Sequence, residues 1–158
     1  TGLANRRSLD EFLDALVTIF PEENKPFSLI MADVDHFKYY NDTHGHLMGD
    51  IVLVSIASIL KNSIRRGDLA ARFGGEEFVV ILPNCTKENA VLVGNKLRSA
   101  ISDQNIQFQN QQPMGNLTCT FGVATYPDDA DTKELLLKRA DECLYNGKAR
   151  GRNKVVAA

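Results

Sequence analysis

Residues Gly74-Gly75-Glu76-Glu77-Phe78 set two adjacent carboxylates directly behind two glycines. Neither glycine has a Cβ, so the backbone there can turn tightly and approach a ligand closely. The segments on either side, Leu69 to Phe73 and Phe78 to Leu82, read as strands, and Pro83 ends the second. The pattern predicts a β-hairpin with an acidic pair at its tip. Two like charges at a turn do little for folding, but they are well placed to hold a divalent cation against phosphates. Asp33 and Asp35 form a second acidic pair, two residues apart at the end of the apolar run Phe27 to Val34. In an extended strand they point to one side. A charge buried there needs a partner, and Mg²⁺, which takes a few carboxylates together with substrate phosphates, is one. A helix-capping Asp beside a solvated one fits the Asp-X-Asp pattern as well. A strand-end Asp and a hairpin Glu beside it could together hold metal ions for an in-line displacement at a phosphate.

Alternating elements must position these groups. Apolar residues at 9, 12, 13, 16, 17 and 20 have helical spacing and predict a helix from Ser8 to Phe20. Ser8 and Glu11 have capping-box spacing, and Pro21 is expected to stop that helix. A strand follows from Phe27 to Asp35, then a short polar helix or turn from His36 to His44. The segment Asp50 to Ile64 is apolar nearly all round, which predicts a central helix. Beyond the hairpin, a helix is expected over Lys87 to Ile101, a loop over Ser102 to Gly115 and a strand over Leu117 to Tyr126. A helix over Thr132 to Asn146 and a last strand over Lys154 to Ala157 complete the series. Together they predict an α/β sandwich of one domain, 1–158, with a mixed central sheet flanked by helices.

The composition is that of a globular domain, with 44% apolar and 24% charged residues among 158. A net charge of −2 argues against broad nucleic-acid binding, which needs a basic surface. Cys85, Cys119 and Cys143 make neither a disulfide framework nor a zinc pattern and suit a reducing, cytoplasmic setting. No apolar run approaches the roughly 18 residues of a membrane span, so no membrane contact is expected of this domain.

Several spaced motifs together resemble the GGDEF domain, the catalytic module of bacterial diguanylate cyclases. Thr1-Gly2-Leu3-Ala4-Asn5-Arg6-Arg7 is similar to the family's opening signature. Asp33-Val34-Asp35-His36-Phe37-Lys38-Tyr39-Tyr40-Asn41-Asp42 follows D-x-D-x-F-K-x-x-N-D, and Gly45-His46 and Gly49-Asp50 continue it. The hairpin carries the Gly-Gly-Glu-Glu-Phe variant. Ala140-Asp141-Glu142, Leu144-Tyr145, Lys148 and Gly151-Arg152-Asn153 match the closing pattern. The resemblance spans essentially the whole chain and implies a palm-like fold. It implies condensation of two GTP to cyclic di-GMP with release of two pyrophosphates, between two domains that face each other as a homodimer. The chain is expected to be the C-terminal part of a longer sensor protein, because it opens inside the first signature.

The resemblance also implies roles. Asp33, Glu76, Glu77 and the Val34 carbonyl would hold two Mg²⁺ ions, with Mn²⁺ as a substitute, and Glu76 or Glu77 would serve the attacking hydroxyl. Asn41 and Asp50 would read guanine: a carboxylate accepts from N1–H and the 2-amine, and an amide can meet N3 or N2. Lys38, Lys148 and Arg152 would hold phosphates, as would backbone amides from His36 through Phe37 to Lys38 at a helix start. Gly74 and Gly75 would let the backbone approach the nucleotide. His46 either touches substrate or packs at a helix start. Asp35 is expected to be structural, His36 and His44 exposed, and Cys119 a small buried apolar residue. Arg65 and Asp68, five residues and more ahead of the glycines, match the family's R-x-x-D inhibitory product site. The same residues also suit a helix C-terminus with Gly67 at C′. Lys96 takes the place of an arginine that assists from a neighbouring domain. It lacks the bidentate fork, which leaves affinity and crosslinking mode open. A catalytically silent GTP- or cyclic di-GMP-binding module is the alternative reading.

Overall fold

The computed structural model describes residues 1–158. The first helix, α1 (Arg6–Glu23), begins two residues before the predicted start, because Asn5 rather than Ser8 is its cap: Asn5 Oδ1 accepts from Ser8 N at 2.9 Å. Glu11 is taken by Arg7 at 2.9 Å instead of closing a capping box. Pro21 lies inside the helix, not beyond it. In the last, solvent-facing turn its missing N–H costs one hydrogen bond without ending the helix, and Asn24, at φ 49°, closes it by donating to Phe20 O.

The remaining elements follow the predicted order with shifted ends. They are β1 (Phe27–Val34), α2 (Phe37–His44), α3 (His46–Ser63), β2 (Leu69–Arg72), β3 (Glu77–Leu82), α4 (Lys87–Ser102), β4 (Cys119–Tyr126), α5 (Lys133–Ala149) and β5 (Val155–Ala157). The predicted 102–115 loop contains one 3₁₀ turn, Gln109–Gln111. The five strands form one mixed sheet in the order β2-β3-β1-β4-β5. All neighbours are antiparallel except β4 and β5, which the crossover helix α5 makes parallel. This is the expected mixed sheet with helices on both faces.

Strand β1 is buried on both faces along its whole length. Its alternate residues divide the core in two. Ile30, Ala32 and Val34 pack under α3 and α4, and Phe27, Leu29 and Met31 pack under α1 and α5. Helix α3 is not the central helix predicted from its composition. Val52, Leu53, Ile56, Ala57 and Leu60 face the sheet, while Leu47, Ile51 and Val54 are exposed. The helix forms an outer layer, and its start at His46 adds a turn ahead of Asp50.

Helix α5 lies unusually close to β4. A Cβ on Gly122 would overlap Ala140 O and come within 2.5 Å of Leu144 N, both backbone atoms that cannot rotate away. Because α5 delivers Lys148, this approach also sets the depth of the site. Gly122→Ala is therefore expected to destabilise the fold by about 3 kcal/mol, read as a lowered denaturant midpoint at unchanged m value.

Candidate active site

The site is assembled at the end of β1 nearest the hairpin tip. Asp33 pairs in register with Glu77 of β3 on one side and Thr120 of β4 on the other. Val34 N donates to Glu76 O at 3.3 Å, so the hairpin carboxylates are tied to the strand that carries Asp33. The turn itself is held by Arg72, whose Nε donates to Gly74 O and Gly75 O at 3.1 Å each and whose Nη2 donates to Gly75 O at 2.6 Å. Sequence reasoning passed over Arg72. An arginine directly ahead of a Gly-Gly turn, with exposed carbonyls in reach of its fork, is the signal that was available. The two glycines are not alike. A Cβ on Gly74 would lie 2.6 Å from Glu77 Oε2, so the missing side chain makes room for that carboxylate, whereas Gly75 faces open space.

Asp33 and Asp35 do different work despite their spacing. Asp33 is 8% exposed and bonds Lys148 Nζ at 2.8 Å, an ammonium contributed by the last turn of α5. Burial pushes the Asp33 carboxyl up to about 6. The Lys148 ammonium opposes that shift, and the Glu76 and Glu77 charges add to it. Asp35, as expected, is structural. It accepts from Thr118 Oγ1 and Thr120 Oγ1 at 2.7 Å each and from Asn153 N at 3.1 Å. That last bond anchors the turn in which Arg152 and Asn153 both have positive φ, at 62° and 45°.

Side chains of the chain itself assemble no cluster of three or more ligands able to cage a metal. The donor set fits a Mg²⁺ ion all the same, since Mg²⁺ keeps waters and takes few carboxylates plus substrate phosphates. The Lys148 ammonium on Asp33 shows where a cation is stabilised. Among the predicted phosphate-binding cations only Lys148 is thus joined to the acidic cluster. Lys38 is exposed and pairs with Asp42 at 2.9 Å, and Arg152 is half-buried in its turn.

On α2 and α3, Asn41 and Gly49 are in contact and Asp50 follows on the exposed surface. His46 is exposed in the first turn of α3. Phe37 is a core side chain, 6% exposed, so only its backbone can meet a ligand. His36 precedes α2 at φ 55° without capping it by its side chain. Neither histidine expected to be exposed is fully so. His36 is half-buried, and His44 stacks on Phe108 at 4.6 Å with Nε2 buried and unpartnered. The 102–115 segment folds back over α2, which the local sequence does not reveal. Cys119 is fully buried.

The second predicted site lies elsewhere. Arg65, Asp68 and Lys96 line one cleft of about 290 Å³ with Asn89 and Val93. Arg65 Nε donates to Asp68 Oδ1 at 3.0 Å and Arg65 N to Asp68 Oδ2 at 3.1 Å, while Lys96 Nζ donates to Ser63 O at 3.2 Å. Gly67 is not at C′: α3 ends at Ser63 with Ile64 as its cap, so Gly67, at φ 101°, belongs to the turn that follows.

Because Asp33 is raised above the carboxylate value of 3.8, the native state binds more protons than the unfolded state between pH 4 and about 6. Metal-free stability should fall as pH rises through that window. Asp33→Asn should remove this contribution to the slope and stabilise the metal-free chain at pH 8 by of order 2 kcal/mol, as measured by urea denaturation at pH 4.5 and 8.

A family model described as "Diguanylate cyclase, GGDEF domain" matches residues 1–154. The chain is 42% identical over 156 residues to the response regulator PleD of Caulobacter vibrioides, covering 99% of this chain and 34% of that protein. It is 40% identical over 134 residues to diguanylate cyclase A of Treponema denticola, covering 85% of this chain and 36% of the relative. It thus spans about a third of the length of these relatives. The fold is similar to the crystal structure of the GGDEF domain of DgcB from Caulobacter crescentus in complex with c-di-GMP, with TM-score 0.88, 33% identity and coverage of 99% and 92%. With the hairpin, the strand-end aspartate and the closing lysine in the places just described, the chain belongs to the GGDEF domain family of diguanylate cyclases.

Proposed function

We propose that this domain condenses two GTP molecules into cyclic di-GMP, each domain of a facing homodimer binding one GTP. The observation that carries the reading is the convergence of Asp33, the Glu76–Glu77 hairpin and Lys148 at one end of the central strand. Bound Mg²⁺, two ions per site with Mn²⁺ as a substitute, would supply charge neutralisation at the triphosphate and acidify the attacking hydroxyl. Asp33, Glu76 and Glu77 would hold it, with the Val34 carbonyl as a further ligand.

In each half-reaction the 3′-oxygen of one GTP forms a bond to the α-phosphorus of the other. The bond from that phosphorus to the β-phosphate bridging oxygen breaks, and pyrophosphate leaves. Glu76 accepts the hydroxyl proton. Lys148, which pairs with Asp33 in the free site, would turn its charge to the phosphates, as would Arg152. Lys38 leaves Asp42, an exposed pair of small worth, to do the same beside the α2 amides of Phe37 and Lys38. Asp50 accepts from guanine N1–H and the 2-amine, and Asn41 binds beside it. His46 stands in the turn between them. Gly74 and Gly75 leave room at the hairpin tip.

Product would act as an inhibitor in the cleft of Arg65, Asp68 and Lys96. There Arg65 and Asp68 exchange their mutual hydrogen bonds for the guanine edge and phosphate of cyclic di-GMP. A cytoplasmic location suits both GTP and the free cysteines, and no helix is long and apolar enough to cross a membrane. A silent GTP- or cyclic di-GMP-binding module is disfavoured by the presence of all three carboxylates.

Incubation with GTP and Mg²⁺ at high protein concentration should yield cyclic di-GMP by chromatography, and Glu76→Ala should lower turnover by at least about 10³-fold with the fold retained. No product even after fusion to a dimerising coiled coil would favour the silent module. Asp50→Ala should weaken GTP binding by roughly 10- to 100-fold at unchanged thermal stability, because two hydrogen bonds to the base are lost. Equal loss of fold and binding would defeat the guanine assignment.

A further inference from the structure

Gly49 sits in the first turn of α3, where glycine disfavours a helix by about 0.5–1 kcal/mol relative to alanine. Its backbone does not require the left-handed region, so its freedom of φ is not the reason for it. Space is the reason. A Cβ on Gly49 would overlap Asn41 Oδ1 and lie 2.9 Å from Asn41 Cγ and 3.1 Å from Phe37 Cζ. The hydrogen that Gly49 carries in that direction points at Oδ1. This oxygen is buried and receives no N–H or O–H hydrogen bond, so the Cα–H is its weak donor. The reverse amide orientation would set N–H hydrogens against the C–H. The amide nitrogen makes no hydrogen bond within the chain and, unlike Oδ1, is not fully buried.

We propose that Gly49 is a positioning residue that fixes the Asn41 amide with its oxygen inward and its NH₂ outward, so that Asn41 presents a donor to guanine N3. This rests on the reading that Asn41 and Asp50 bind the base. Asp50 directly follows Gly49 and takes the N1–H and the 2-amine. N3 is the acceptor adjoining that amine, so a donor beside the carboxylate meets it. Asn41 then recognises a purine ring nitrogen, and the choice of guanine over adenine falls to Asp50.

The test measures binding of 3′-deoxy-GTP, which lacks the attacking hydroxyl, and of its 3-deaza analogue, which lacks N3. The wild-type domain should bind the 3-deaza compound roughly 10-fold more weakly. Gly49→Ala should bind 3′-deoxy-GTP roughly 10-fold more weakly and no longer distinguish the two, and Asn41→Asp, which removes the donor but keeps the shape, should behave likewise. On an Asn41→Ala background, Gly49→Ala should change affinity less than about 2-fold. If Gly49→Ala alone does not fold, the Asn41→Ala/Gly49→Ala double variant should recover the melting transition, because the two atoms that the new Cβ overlaps most closely, Asn41 Oδ1 and Cγ, are gone and only the milder approach to Phe37 Cζ remains. Wild-type affinity or full 3-deaza discrimination in Gly49→Ala would overturn the proposal. So would unimpaired binding by Asn41→Asp, or a double variant that stays unfolded. Failure of the wild-type domain to bind 3′-deoxy-GTP at all would instead overturn the guanine reading on which it rests.

Discussion

The buried carboxylate of Asp35 is the interaction on which the rest of the site depends. It is 3% exposed, and a charge at that depth is tolerable only because two hydroxyls and one backbone N–H point at it. Those three donors come from the approach to β4, from β4 itself and from the turn before β5. One carboxylate therefore closes the end of β1, the start of β4 and the return of the chain from α5. Asn153 N also donates to Thr120 Oγ1 and Asn153 Oδ1 accepts from Arg98, so the turn that displays Arg152 is held from both sides. Once this end of the sheet is closed, Asp33 can remain a poorly solvated acid two residues earlier without being the group that pays for the architecture.

Around that anchor the site also holds poorly balanced charge. Asp33 faces two glutamates across a short antiparallel register, and the only nearby counter-charge is the Lys148 ammonium. The arrangement raises the Asp33 carboxyl above the ordinary carboxylate range and leaves it a single counter-charge. Arg72 fastens the hairpin turn from within, so the Glu76 and Glu77 carboxylates are not needed to hold it. The close seating of α5 on Gly122 brings Lys148 to this depth. The packing of one glycine and the electrostatics of one aspartate are thus parts of one device.

Legibility in the sequence varied with the range of the interaction. The order of elements, the hairpin and the acidic pairs could all be read from local patterns, because periodicity and turn chemistry act over a few residues. Helix ends differ from the local pattern where Asn5, three residues ahead of Ser8, takes the cap, and where a proline is tolerated in a solvent-facing last turn. The segment Asp50 to Ile64 reads as a central helix because composition does not tell a buried side from an apolar but solvated one, and Ile51 and Val54 are the latter. His44 was placed in solvent because the segment that covers it, around Phe108, lies more than sixty residues on.

What the sequence determined by itself was the inventory and its family: the carboxylates, the glycines between them, the basic closing run and a mixed sheet to carry them. Each of these is a local chemical fact or a local spacing. Why Asp35 is tied into the fold while Asp33 is left open is visible only in the tertiary structure. Asp33 and Asp35 are equivalent in spacing, and they part because β4 offers hydroxyls to one and α5 offers an ammonium to the other. The close approaches at Gly49 and Gly122 were likewise invisible until helix met helix and helix met sheet. A missing side chain has meaning only through the distant atom that fills its place.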